Sequence, residues 1–435
     1  MQLREELQVS IWLIPVVLCL GSLALATVLL WAEREFDLLG PGFQTFAIPV
    51  TSARQVLGVI AGSVMSVGGV VFSVTMVALT LTSGQYGPKV LRQFLSDNAS
   101  KISLGMFMGT SLYCLVTLTA YKDTDQPSIT IIAALLLTIA ALAGFIRFIH
   151  RTAVDLQADK IIQHIGGELH QLLIALTSED SLRDRCYGTR GWRQHARGFR
   201  PLLIAAENGG YIQTVDYPGL VKWCADHDCV AQLRVRAGDF ILEGNCLIKL
   251  YGAQSVLQEQ DLGQLRSVVR TGVMRTPVQD PEYPITQLNQ LTARALSPGI
   301  NDPGTAITAI DWFSLAVAQV VDRELPGKVF LDPDGVPRLL ARFTDFRGIV
   351  KAFYAPSRQF AQGNIPVLIA LLESLVRLAD LTILEDRLAI IAQHGEHLMS
   401  AVEGDNYMGH DLTELRQSQA RLRRLTRRLE ATSSG

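Results

Sequence analysis

Four long apolar runs, none interrupted by Asp, Glu, Lys, Arg or His, fill the first third of the chain: Ser10 to Ala32, Leu57 to Ser83, Ile102 to Tyr121 and Ser128 to Ile146. Each approaches or exceeds the roughly 20 residues that a helix needs to cross the hydrocarbon of a bilayer. One such run is compatible with a buried helix of a soluble protein. Four in succession predict a transmembrane domain over residues 1–150, with spans at about 10–32, 57–83, 102–121 and 128–146. Trp12 and Trp31 bracket the first run in the manner of an aromatic belt. That run is too long for a signal-peptide core and no A-x-A-like cleavage site follows it, so it reads as a retained anchor.

Charges between the runs set an orientation. Lys89, Arg92 and Lys101 stand against Asp97 after the second run, and Arg147 and Arg151 follow the fourth. The other loops carry Glu33, Arg34, Glu35, Asp37 and Arg54, and Lys122, Asp123 and Asp125. The positive-inside rule then puts both termini in the cytoplasm of a bacterial inner membrane. The mean hydropathy of +0.24 is concentrated before residue 150, and the net charge of −2 gives no reason to expect nucleic acid as a partner. Cys19, Cys114, Cys186, Cys224, Cys229 and Cys246 lack the paired spacing of a secreted disulfide scaffold, which fits a reducing compartment.

Within the second run, Gly58, Gly62, Ser66, Gly69, Ser73 and Thr80 recur at spacings of three, four or seven and form one narrow stripe. The bulky Ile60, Val64, Val67, Val71, Val74 and Val77 mostly face elsewhere. Two readings fit the stripe: a surface for close helix packing, or the lining of a narrow pore repeated about a symmetry axis. Gly105 and Gly109 add a G-x-x-x-G in the third run. The spans lack the ionisable residues that carry coupling in active transporters, which favours a passive pore or a signalling scaffold.

Beyond Arg147 the pattern has helical period to Leu176, so residues 151–199 read as a helical stalk and connector. Short β-prone runs follow at 202–205, 211–215, 230–235, 240–242 and 247–251, separated by Asn208-Gly209-Gly210, Gly238-Asp239 and Gly244-Asn245. They predict a small β-barrel or sandwich over 200–252. It is loosely like biotinyl or lipoyl barrels, without the Lys that would carry a prosthetic group. Residues 253–402 read as a helical domain, with helices at 285–296, 306–321, 339–360, 364–379 and 382–402. A hinge and a basic helix, with Leu415, Leu422 and Leu429 at heptad spacing, complete the chain over 403–435. The expected fold class is thus membrane α-helical, with four transmembrane helices, plus a cytoplasmic α+β region with a helical C-terminal part.

Four stretches together carry a resemblance: "GVIAGSVMSVGGVVFSVTMVALTLTSGQYGPKVLRQFL" (58–95), "GYIQTVD" (210–216), "GDFILEG" (238–244) and "ITQLNQLTARALSPGINDPGTA" (285–306). The chain resembles the bacterial membrane-protein family catalogued as domain of unknown function 2254, from the first span to about residue 400. The resemblance implies a membrane location and a shared architecture, and it brings no activity, substrate, cofactor or functional residue.

Catalytic motifs are absent: there is no phosphate-binding G-x-x-x-x-G-K and no G-x-S-x-G elbow, so no enzyme activity and no cofactor are expected. Cys224, His227 and Cys229 fall short of a zinc-ligand spacing, and His394 with His397, at a spacing that could share a metal, lack the H-E-x-x-H arrangement, so both groups read as ordinary side chains. The polar residues of two proline-stiffened turns, Arg275 with Asp280 and Asn301 with Asp302, are the candidates for a ligand or interface site. The other reading of these four is salt bridges and helix caps that fix neighbouring helices. The function expected is a homo-oligomeric passive ion pore in the lipid bilayer, gated by the cytoplasmic part, with Lys89 and Arg92 at its cytoplasmic mouth. The alternative is a membrane-anchored sensor or scaffold that binds an unidentified ligand or partner.

Overall fold

The computed structural model describes residues 12–35, 49–86, 98–122, 129–155, 157–178, 185–186, 188–252, 258–402 and 409–433. It divides into two compact units, one through Ile161 and one from Ile162 onward.

The first unit contains four helices long and apolar enough to cross a membrane. They are α1 (Leu13–Glu35), α2 (Val50–Tyr86), α3 (Asn98–Ala120) and α4 (Ile129–Asp155). Helix α3 is central and packs against the other three. Its two glycines explain how. A Cβ on Gly105 would come within 2.6 Å of Leu18 Cδ1 and 2.9 Å of Pro15 Cα, and one on Gly109 would reach 3.2 Å from Leu18 O. Bare backbone at these positions lets α1 lie directly on α3, the contact that stabilises helices where hydrocarbon supplies no hydrophobic drive.

Leu57, Phe107, Tyr113, Ile131 and Phe148 fill the core. Its polar groups are satisfied internally: Ser111 Oγ donates to Ala61 O at 3.1 Å and Tyr113 OH to Thr130 O at 2.9 Å. At the end shared by Glu33 and Thr130, the Glu33 carboxylate accepts the Thr130 N–H at 2.9 Å, a favourable charge at the start of α4.

Two boundaries differ from expectation. Helix α2 begins at Val50, before its apolar run, and its 37 residues make about 55 Å of helix, well beyond the roughly 30 Å of hydrocarbon. The helix continued from Arg147 to Leu176 is recovered as the end of α4 and α5 (Ala158–Leu176), on either side of residue 156, which lies outside the described residues.

The second unit adds β1 (Arg185–Cys186), α6 (Arg190–Ala196), β2 (Leu202–Ala205), β3 (Gly210–Val215), α7 (Tyr217–Asp226), β4 (Val230–Leu233), β5 (Phe240–Ile241) and β6 (Cys246–Tyr251). These are followed by α8 (Glu259–Ser267), β7 (Val269–Gly272), α9 (Glu282–Ala295), α10 (Pro303–Ala318), β8 (Val329–Leu331) and β9 (Pro337–Leu340). Helices α11 (Phe346–Phe360), α12 (Ile365–Asp380), α13 (Glu385–Val402) and α14 (Gly409–Ser433) complete it.

The strands arise almost where the alternation put them, but among the described residues they close no barrel. A six-stranded sheet has the order β1-β8-β9-β4-β6-β2, and a three-stranded sheet the order β5-β3-β7. Strand β4 pairs in parallel with β9 through Ala231 and Leu339, and β3 pairs with β7 through Ile212 and Thr271. The 200–252 segment therefore shares its sheets with strands drawn from 185–186, 269–272 and 329–340. Strands of two to six residues leave backbone groups that distant partners must satisfy, and alternation does not say which partners. The helix expected from 339 starts instead at Phe346, after β9.

The C-terminal helices pack tightly. Phe313 stacks on Phe353 at 4.0 Å, Tyr354 shares a 2.6 Å hydrogen bond with Ser374, and Leu415 and Leu422 of the basic helix are buried. Arg423 of that helix grips both oxygens of Glu396, at 2.9 and 3.0 Å. Part of the basic face is thus an interhelical contact.

Candidate functional site

The stripe of small residues runs along one face of α2. At 100° per residue, its six members fall within roughly 80° of arc. Gly58, Gly62, Ser66, Gly69, Ser73 and Thr80 are all exposed in the single chain. Ala53, Leu57, Ile60, Val64 and Val71, on the opposite side, are buried in the bundle. Gly62 and Gly69 have nothing within 4 Å of a would-be Cβ. Larger side chains flank the stripe, with Met65, Phe72 and Met76 along one side and Val59, Val70 and Val77 along the other. The result is a shallow groove facing away from the bundle. Two of its three hydroxyls are bonded within the helix: Ser66 donates to Gly62 O at 2.9 Å and Thr80 to Met76 O at 2.8 Å. Lys89 and Arg92 lie outside the described residues.

The first proline-stiffened turn is consumed by structure. Arg275 donates through Nε and Nη2 to Asp280 Oδ2, at 2.9 and 2.6 Å, and Asp280 Oδ1 accepts the Glu282 N–H at 3.0 Å. Asp280 is 2% exposed. Burial pushes its carboxyl above the ordinary aspartate value, against the lowering pull of Arg275. The carboxylate lies over Gly238, which adopts φ +92° and has no room for a Cβ. This close approach is what the first glycine of "GDFILEG" provides.

Sequence reasoning missed the residues next to this pair. Arg236 reaches Glu282 through Nη1 at 2.9 Å and Nη2 at 3.0 Å, and Thr344 Oγ1 donates to Glu282 Oε1 at 2.8 Å. Burial disfavours the Arg236 charge, but Glu282 and Asp239 outweigh it and hold the guanidinium protonated. The Gln279 amide pairs with both the N–H and the C=O of Val215, at 2.8 and 3.1 Å, in place of a neighbouring strand. The proximity of Glu282 to Asp280 was a signal. The arrival of Arg236 and Thr344 from 46 and 62 residues away was not.

Asn301 and Asp302 serve a separate purpose. Asn301 takes φ +46°, a left-handed conformation that Asn tolerates. Asp302 caps α10, accepting from Thr305 N at 3.2 Å and Thr305 Oγ1 at 2.6 Å, and these bonds hold its carboxyl below the usual range. Among the described residues, no hydrogen bond or ion pair joins this cap to Arg275 or Asp280.

The metal candidates resolve into packing. Cys229 N–H bonds to Cys224 O at 3.0 Å and Asp228 N–H to Ala225 O at 3.2 Å, with Asp228 at φ +44°. This is the paired closure of a helix C-terminus in which the two thiols make the accompanying contact. His394 is buried, and burial with nearby His397, Arg347, Arg358 and Lys351 lowers its pKa to about 4. Among the described residues there is no cluster of three or more His, Cys, Asp or Glu side chains placed to hold a metal.

The model of the family described as predicted membrane protein, domain of unknown function 2254, matches residues 8–377. The chain belongs to that family. Its similar relatives include two uncharacterized proteins of Mycobacterium tuberculosis strains and one of Mycobacterium bovis. Each is 28% identical over 388 residues, covering 86% of this chain and 73% of the relative. No solved structure matches it. Membership makes this a membrane protein whose four apolar helices are transmembrane helices, and the relatives carry no activity with them.

Proposed function

We propose that the protein is a homo-oligomer of the bacterial inner membrane, with both termini cytoplasmic, that forms a gated passive pathway for small ions. The observation that carries this reading is the outward direction of the small-residue groove on α2. The interior of one chain is filled by Leu57, Phe107, Tyr113 and Phe148, so a pathway has to run between copies. A groove of glycines and hydroxyls spanning Gly58 to Thr80, about 33 Å at 1.5 Å per residue, is long enough to traverse the hydrocarbon. Gly62, Ser66, Gly69 and Ser73 would line it, with Lys89 and Arg92 at the cytoplasmic mouth. The second unit would act as the gate, and no catalytic step enters this reading.

Ion flux from liposomes containing the full-length protein tests it. Ser66→Leu and Ser73→Leu should abolish flux while leaving thermal stability unchanged. Unchanged flux in both variants removes the groove as the lining. No flux under voltage, tension or pH change removes conduction, and leaves the membrane-anchored sensor. That second reading is favoured by a solvent-open cleft of about 570 Å³ in the second unit, bordered by Lys328, Leu384 and Arg387.

A further inference from the structure

Phe343 and Thr344, just after β9, and Leu325 and Pro326 border two cavities at once. On one side lies a chamber of about 20 Å³ bordered by Tyr217, Arg236 and Gln279, with room for about one water. On the other a cleft of about 570 Å³ opens to solvent between Lys328, Leu384 and Arg387, a size ordinary for a small-molecule site. The network at Asp280 and Glu282 buttresses this wall, since Arg236 and Thr344 both bond Glu282 and both line the chamber. The turn singled out in the sequence is thus the support of a cavity.

Three carboxylates, Glu324, Asp345 and Asp386, and two cations, Lys328 and Arg387, border the cleft, and the carboxylates already have partners. Asp345 accepts the Gly348 N–H at 2.9 Å as the cap of α11, Asp386 lies 3.8 Å from Arg387, and Glu324 is also engaged. Among the described residues, neither Lys328 nor Arg185 has an ion-pair partner. Arg185 lies over the Phe330 ring at 4.2 Å and the Phe343 ring at 5.1 Å. Its Nη1 is sealed from solvent without a hydrogen-bond partner. Arg387, 10% exposed, lies over the Phe346 ring at 4.4 Å and donates through Nη2 to Arg323 O at 3.5 Å, contacts that hold its guanidinium at the cleft edge. Fixed guanidinium groups and an unpaired lysine around an apolar wall suit an anion carrying an apolar body.

We propose that the cleft binds a small water-soluble organic anion, with Lys328 and Arg387 receiving its phosphate or carboxylate and Leu325, Pro326, Phe343 and Leu384 packing its apolar part. Arg185, behind Phe343, adds positive field without touching the ligand. The inference stands apart from conduction: flux can fail while the cleft binds, and the reverse.

The test is titration of the full-length protein, in nanodiscs of phosphatidylcholine, with adenosine monophosphate, benzoate and inorganic phosphate, followed by saturation-transfer NMR. The organic anions should bind saturably and more tightly than inorganic phosphate. Lys328→Gln and Arg387→Gln should each weaken them about tenfold or more, the effect of losing one charge-assisted hydrogen bond. If Arg387→Gln disturbs folding, Lys328→Gln decides alone, because that side chain is exposed. Three outcomes overturn the proposal: no saturable binding by any of the three probes, affinity unchanged in Lys328→Gln, or inorganic phosphate binding as tightly as the organic anions.

Discussion

In the membrane unit, α1 meets α3 where Gly105 and Gly109 leave bare backbone for Leu18 and Ser22. In the second unit, the comparable gap above Gly238 is occupied by the carboxylate of Asp280, itself held by Arg275. The two regions use glycine for the same geometric end, but one fills the space with uncharged side chain and backbone and the other with a paired carboxylate. Inside hydrocarbon, where polar groups need internal partners, close contact between uncharged helix surfaces is the available adhesive. In the second unit a charge can be buried because three donors surround it, and once buried it depends on all of them.

The largest expected effect falls on that dependence. Arg275→Ala leaves Asp280 buried without its counter-charge and should destabilise the second unit by about 3–5 kcal/mol. Chemical denaturation of the full chain in detergent would measure it, and a loss under 1 kcal/mol would show that the pair is solvated. The same substitution is a poor probe of ligand binding, because it disturbs the scaffold first. Gly105→Leu should cost the membrane unit about 1–3 kcal/mol by forcing α1 from α3. A thermal midpoint equal to that of the unmodified protein would show that α1 and α3 do not depend on bare backbone at this position.

Acid should separate the two regions further. His394 titrates near 4 when folded and near 6.5 when unfolded, so the unfolded chain binds the extra proton between these values. Stability is therefore complete above about pH 6.5 and falls as the pH drops toward 4. The loss is on the order of 1–3 kcal/mol. His394→Gln should flatten that slope, and an unaltered pH profile would place the histidine in water. Asp302→Ala removes the cap of α10 and should cost about 1 kcal/mol, read as a lower denaturation midpoint. Gly69→Leu meets open space and should change stability by less than about 0.5 kcal/mol, in contrast to Gly105→Leu. An equal loss from both would mean that copies already pack on the outward groove.

The four transmembrane helices, the strand positions from Leu202 to Tyr251 and the caps at Asn301-Asp302 were legible because they depend on residues close together in the chain. Hydropathy over about 20 residues, alternation over five and a side-chain oxygen three residues before its partner are all local quantities. The sequence also marked both glycine patterns in the membrane part. It had no means of telling that Gly105 and Gly109 face a neighbouring helix while Gly62 and Gly69 face outward. That difference depends on which surface of each helix the bundle buries. The same limit hid the joining of β4 to β9 and the meeting of Arg236, Glu282 and Thr344. It also hid the cleft bordered by Lys328 and Arg387. Each is a contact between segments that share no local pattern, chosen only when the backbone satisfies its hydrogen bonds and buries its charges in three dimensions.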